Sequence, residues 1–294
     1  MELTEREFEE IRNYIYRVSG LYLDNSLRSH AGERLKPLLE SAGVKTFKGL
    51  ISRLVYKNDI HLCDQVILSI TSDEDSFFID SAPFETFRDV ILPELADIVV
   101  IRKKKNNVRR GAKINIWSAS ASKGHEPYSI AMLISEYLDQ NGPKGVESED
   151  FNILASDLSS TALAKAVAGE YSPLEVNSGI SEDLRSKYFT QMGDKLVLQP
   201  KIQDMVDFRK VNLSESFTRL GGFDVIFCRN ALEHFNQPTQ KGILTQFTYM
   251  LTRNGFLVLD MENNLDGFAE YYNYVKHNGS MVFQRKENME FSSV

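Results

Sequence analysis

Five short stretches hold residue types that could bind or react. The first, "SASASKGHEPYS" (118–129), sets small residues around Gly124, so backbone can approach a ligand closely. A helix that starts there would add exposed amides. It is neither G-x-G-x-x-G nor G-x-x-x-x-G-K-[ST], which leaves a nicotinamide cofactor or a nucleoside triphosphate poorly supported. The second is Asp157, which ends an apolar run. A carboxylate there can accept hydrogen bonds from two ribose hydroxyls, or it can cap the helix that begins "LSSTAL". The third is "FCRN", where Arg229 and Asn230 put a charged fork and an amide at a strand end; a surface salt bridge is the plainer alternative. In "LDMENN", Asp260 and Glu262 read as a solvated loop. Last, "SDEDSFFID" (72–80) surrounds Phe77 and Phe78 with Asp73, Glu74, Asp75 and Asp80. A core would not tolerate those acids and a tail would not carry those aromatics. Phenylalanines packed on a core, with acids held over a cleft, reconcile the two.

Strands and helices must bring these stretches together. Thr4 and Glu7 form a capping box, and Phe8, Ile11, Ile15 and Val18 then recur at helical spacing until Gly20. Helices are predicted over 26–42, 46–57, 60–70 and 84–104, which makes residues 1–75 a small all-helical domain and 76–110 a linking segment. From residue 111 short apolar strands alternate with helices: 114–120, 151–157, 223–230 and 255–261, with a last strand in "GSMVFQRK". Such alternation implies an α/β fold with a mostly parallel sheet, and ligands then bind outside the carboxyl ends of its strands. A helix near 181–190 and the short strands "DKLVLQP" and "MVDFRKVN" predict a small β-subdomain over about 190–212.

Composition narrows the function. A net charge of −7 argues against nucleic acid as a general partner. The basic run "IRKKKNNVRR" (101–110) reads as a solvated helix end, or else as a dock for an acidic partner. No apolar run reaches the roughly 20 residues that span a membrane, and "MELTEREFEE" is no signal peptide. With Cys63 and Cys228 in no redox or metal spacing, a cytoplasmic protein is expected.

Together, "WSASASKGHEPYSIA", "ASDLSSTALAKAVAGEYS", "VNLSE" and "FDVIFCRN" resemble the CheR-type chemotaxis receptor methyltransferases over nearly the whole chain. The resemblance implies a Rossmann-like S-adenosylmethionine-dependent methyltransferase domain that leaves S-adenosylhomocysteine. It implies methyl transfer to glutamate side chains of chemoreceptor cytoplasmic domains or of another signalling protein. Carried over, Glu126 meets the methionyl ammonium and Ala119 contributes backbone. Asp157 holds the ribose, Asn212 and Leu213 face the adenine, and Arg229 and Asn230 close the methionyl end.

Departures from the family fall on the reactive side. Where the family reads T-T-N-x-T-x-F-F-R, this chain has "TSDEDSFFI": Asp75 replaces a hydroxyl residue and Ile79 an arginine. His234 stands in "ALEHF" for a tyrosine near the methyl group, and "DMENN" replaces G-H-S-E-N. His234 and Asp75 are therefore the candidate reactive residues. His125 and His234 are expected to flank the pocket as polar lining, or one as a general base; the spacings of a metal site are missing. In the second helix Arg28, Arg34 and Lys36 remain of a richer basic set, and Pro37 is expected to interrupt it. "FTQMGDKLVL" is too short for the loop that binds a receptor tail in some relatives. Two readings follow: a working methyltransferase, or a degenerate relative that keeps the cofactor or only the fold as a regulatory module.

Overall fold

The computed structural model describes residues 2–71, 76–105, 113–260, 265 and 267–287. Helix α1 (Glu5–Ser19) starts on the Thr4/Glu7 capping box and ends at Gly20 in the left-handed region, as the sequence predicts. It buries Phe8, Ile11 and Ile15, whereas Val18 stays 40% exposed. Then come α2 (Arg28–Ser41), α3 (Phe47–Ile51), which runs into a π-helical stretch at 52–56, and α4 (Ile60–Thr71). Pro37 does not interrupt α2. It lies on the exposed face, opposite Ala31, Leu35 and Leu39, and that buried stripe holds the turns together across the missing amide. Helices α5 (Ser81–Thr86) and α6 (Leu92–Lys105), joined by π-helical turns, lead to the sheet.

Among the described residues ten strands follow: β1 (Ile114–Ser118), β2 (Phe151–Asp157), β3 (Glu170–Tyr171), β4 (Phe189–Met192), β5 (Lys195–Leu198), β6 (Val206–Lys210), β7 (Phe223–Cys228), β8 (Leu251–Leu259), β9 (Tyr272–His277) and β10 (Ser280–Arg285). Between them lie α7 (His125–Asn141), α8 (Ser160–Ala168), α9 (Pro173–Asn177), α10 (Glu182–Tyr188), α11 (Pro200–Gln203) and α12 (Gln237–Met250). The main sheet has the order β6-β2-β1-β7-β8-β10-β9. Its first five strands are parallel, and β10 and β9 close it as an antiparallel hairpin. The fold is thus α/β and Rossmann-like, with a helical region in front. The chain runs outward from β1 to β2 and then back past it to β7, so the order reverses at β1, where such sheets open a crevice.

The small sheet is not where the sequence places it. Its order is β3-β5-β4, so it draws on residues 170–198, while β6, inside the expected 190–212 insertion, is the edge of the main sheet. Parallel register from Ile153↔Val206 to Asp157↔Lys210 binds β6 to β2. Strand β3 is only two residues long and carries no periodicity to read. Strand β9 went unpredicted for a related reason: its outward residues Asn273, Tyr274 and Lys276 give it a polar surface.

Alternation along the strands assigns the two faces. Trp117, Ile226 and Leu257 join a core shared with the N-terminal helices through Phe8, Leu35, Leu50, Leu54 and Val66. Ile116, Val225, Phe227 and Val258 face the other way, onto Phe77, Phe87, Leu95, Tyr128 and Tyr171. The helical region therefore shares the core of one face of the sheet rather than standing apart from it.

Candidate functional site

A cleft with about 580 Å³ of empty space, partly open to solvent, lies at the carboxyl ends of β1, β2 and β7. Ala119, Ser120 and Ser122 line it from the loop after β1, Asp157 and Leu158 from the end of β2, and Val211, Asn212 and Leu213 from the end of β6. Asn230, Ala231, His234 and Phe235 come from the end of β7, and Leu21, Ile67, Leu68 and Thr71 from the helical region. Ala119, Asp157, Asn212, Leu213, Asn230 and His234 thus share one cavity.

The loop after β1 needs its glycine. Gly124 has φ +93°, and a Cβ there would meet the Cβ of Ala166 at 2.9 Å. Helix α7 begins directly after it, as expected for a ligand-facing turn. Asp157 Oδ2 accepts from the Ser122 amide at 2.8 Å and Oδ1 from the Ser159 amide at 2.8 Å. It ties the loop after β1 to the start of α8 and lines the cleft, and it does not cap that helix. The helix cap itself is Ser159, whose hydroxyl accepts from Ala162. The Asn212 carboxamide closes a turn: Oδ1 accepts from the Ser214 amide at 3.0 Å and from its hydroxyl at 2.9 Å. Leu213 is buried beside it.

Glu126 and Arg229 lie outside the cleft lining, in a charged cluster behind it. Glu126 Oε1 accepts from the Ser118 hydroxyl at 2.8 Å, one residue before Ala119. Arg229 is 4% exposed and donates to Asp80 Oδ2 at 2.9 Å and to the Ile79 carbonyl at 3.2 Å. Asp260 lies 3.4 Å and Glu126 4.0 Å from its guanidinium, which also rests over the Phe84 ring. Among the described residues, one buried cation therefore serves three carboxylates. Burial pushes Glu126 up to about 7, against the pull of Arg229 and the Ser118 hydrogen bond. Burial also raises Asp260, opposed by the Asn230 amide and Arg229. This surplus of carboxylate fits a ligand that brings its own positive charge, such as the ammonium and sulfonium of S-adenosylmethionine.

Asp260 corrects the expectation of a solvated loop: it accepts from the Asn230 amide and pairs with Arg229. It ends β8 on the same edge as Asp157, and that position was the signal for it. Asp80 was read only as one of the acids in its stretch. Asp75 and Glu262 lie outside the described residues. His125 is corrected too. It does not line the cleft but is buried edge-on against Phe77 (4.8 Å) and near Tyr171 (5.0 Å). Phe77 is fully buried, and its carbonyl comes so close to Gly179 that a side chain there has no room. Phe78 is half-buried and packs edge-on against Phe84.

Strain gathers around the site. Ser122, Phe78, Asp80 and Asn230 all have φ between 45° and 52°. Such geometry costs on the order of 1–3 kcal/mol per residue and persists only where neighbours enforce it. Each of the four is held: Ser122 by Asp157, Phe78 by the Ser129 hydroxyl, Asp80 by Arg229 and Asn230 by Asp260.

A family model described as "CheR methyltransferase, SAM binding domain" matches residues 73–280. The chain is 32% identical over 281 residues to "Chemotaxis protein methyltransferase Cher2" of Pseudomonas putida, covering 95% of this chain and 98% of that one. It is 31% identical over 287 residues to "Chemotaxis protein methyltransferase 1" of Pseudomonas aeruginosa, covering 97% and 100%. A crevice at the strand reversal, a built turn at Asp157 and a cation-seeking cluster beside it agree with that match, and the chain belongs to the CheR methyltransferase family, with S-adenosylmethionine as its cofactor.

Proposed function

We propose that this chain methylates glutamate side chains in the cytoplasmic domain of a chemoreceptor. The observation that carries this is the extent of the likeness to the chemotaxis protein methyltransferases, which runs the length of both chains. Helical region and cofactor cleft are shared as a pair. In this reading Asp157 holds the ribose hydroxyls, Leu213 and the Asn212 turn wall the adenine, and Ala119 and Asn230 line the floor. Glu126 takes the methionyl ammonium, with Arg229 beside it.

When bound, S-adenosylmethionine would supply a methyl group to a carboxylate oxygen, its carbon–sulfur bond breaking with the electron pair returning to sulfur. An ionised carboxylate needs no general base, so the chain's contribution is position. Arg229 and Glu126 fix the methionyl end. His234, on the turn after β7, lies where the acceptor would enter. Asp80 and the Ile79 carbonyl sit on Arg229, and Ile79 would offer an incoming glutamate only an apolar side chain.

That last feature favours a second reading: a binding module that has lost transfer. One experiment separates the two. The purified protein is given methyl-labelled S-adenosylmethionine and an isolated receptor cytoplasmic domain. Base-labile label on the receptor supports a glutamate methyl ester, and stable label means an amine or thiol acceptor. Micromolar binding without label supports the binding module.

A further inference from the structure

Asp64 is a carboxylate that neither the cofactor reading nor the family match assigns a task. It sits on α4, in the N-terminal helical region, and is 7% exposed. Its Oδ2 accepts from the Ser159 hydroxyl at 2.9 Å and the Thr161 amide at 2.8 Å, and its Oδ1 from the Ser160 amide at 2.7 Å. Those donors are the first turn of α8, whose amides have no partner within the helix and whose dipole favours a negative charge. Burial raises the Asp64 carboxyl, but these hydrogen bonds outweigh it and hold the group below the usual carboxylate range. Lys210 completes the node. Its Nζ lies 3.7 Å from Asp64 Oδ1 and donates to the Ser160 hydroxyl at 2.9 Å, and in the sheet it is registered against Asp157.

Ser159 joins this node to the cleft. Its hydroxyl donates to Asp64, and its amide donates to Asp157 Oδ1. The Val211 amide donates to the Asp157 carbonyl at 3.0 Å, so the turn that leads into Asn212 hangs from the same residue. We infer that Asp64 is a positioning residue for the cofactor: the helical region reaches across to set the turn that aims Asp157 at the ribose. This rests on the reading of Asp157 as the ribose-holding residue. Its consequence is that the helical region is part of the cofactor site as well as a neighbour of it. Without the carboxylate, the Ser160 and Thr161 amides and the Ser159 hydroxyl lose their acceptor, and the start of α8 is free to shift by the fraction of an ångström that misaims Asp157.

The test uses the full chain, S-adenosylhomocysteine and the analogue that lacks its ribose 2′-hydroxyl, with affinities from calorimetry and folding checked by thermal melting. Wild type should bind the deoxy analogue about tenfold more weakly, the size of one charge-assisted hydrogen bond. Asp64→Asn should lose about tenfold for S-adenosylhomocysteine and within about twofold for the deoxy analogue, so its preference for the hydroxyl collapses. Equal losses for both ligands would mean that Asp64 only supports the fold, and the inference is overturned. A wild type that binds both ligands equally overturns the ribose reading itself, a different and recognisable failure. If Asp64→Asn does not fold, Ser159→Ala removes the link together with the Ala162 cap bond, and the same collapse of the hydroxyl preference, smaller in size, is required of it, because a lost cap alone would weaken both ligands equally.

Discussion

Asp157 and Glu126 are both acids at the sheet's carboxyl edge, held in opposite ways. Asp157 receives two backbone amides from turns that already exist, so its charge is compensated before any ligand arrives. Glu126 shares one buried arginine with Asp80 and Asp260, and burial lifts it to about 7. On the proposed reading the first is a recognition element already in place. The second is an unbalanced cluster that a cationic ligand would complete. Preorganisation and charge hunger are thus divided between two ends of one site, a residue apart at Ser118/Ala119 and again at Arg229/Asn230.

The largest expected effect comes from removing the shared cation. Arg229→Met should lower stability by about 3 kcal/mol, because the largely buried carboxyls of Glu126 and Asp260 lose their shared cation and the Ile79 carbonyl loses a donor. Chemical denaturation reads this directly. A loss below about 1 kcal/mol would mean that the cluster is already largely protonated and the contrast with Asp157 is overdrawn. Next in size is Asp157→Ala. Losing two charge-assisted hydrogen bonds to the ribose should weaken S-adenosylhomocysteine binding on the order of a hundredfold by calorimetry. Normal binding would remove the ribose assignment.

How much of this could be read from residues alone follows the same division. Asp157 and Gly124 were visible because a strand end and a small-residue loop are local patterns. The β1–α7 turn, the capping box at Thr4 and the apolar strands β1 and β7 were local in the same sense. The pairings of Asp260 and Asp64 were not, since their partners, Asn230 and Ser159–Thr161, lie 30 and 95–97 positions away. Nothing at either end of such a pair marks the other. His125 misled for the complementary reason: sequence adjacency to the loop suggested cleft lining, while packing turned it onto Phe77, whereas His234 lines the cleft as expected. The small sheet was misplaced because pairing, which periodicity does not carry, decides which sheet a strand joins.

Glu126 gives the third prediction. A carboxyl that titrates near 7 in the free protein must be ionised to hold an ammonium, so binding releases a proton below that value. Affinity for S-adenosylmethionine should be roughly tenfold weaker at pH 6 than at neutral to slightly alkaline pH, falling again where the ligand's own ammonium loses its proton. Glu126→Gln should flatten that profile. Stability runs the same titration in reverse. Because the folded group holds its proton above its ordinary 4.5, its own contribution to stability is fullest below that pH and is lost as pH rises through 7. A flat profile in wild type would show that the ammonium is met elsewhere.

The smallest effect is the sharpest test of the boundary between binding and transfer. Ile79 enters the charged cluster through its carbonyl, which Arg229 holds, and any side chain keeps that carbonyl. Ile79→Arg should therefore leave cofactor affinity within about twofold, since a rim charge is screened and long side chains are mobile. Its action falls on the acceptor, where a second guanidinium beside Asp80 offers a carboxylate the bidentate partner that isoleucine withholds. If the variant labels a receptor domain faster than wild type at unchanged cofactor affinity, recognition and transfer are separable in this chain, as the two acids suggest. If cofactor affinity drops more than about tenfold instead, the new cation has displaced Arg229 from Asp80 and Glu126, and the two ends of the site form a single electrostatic unit.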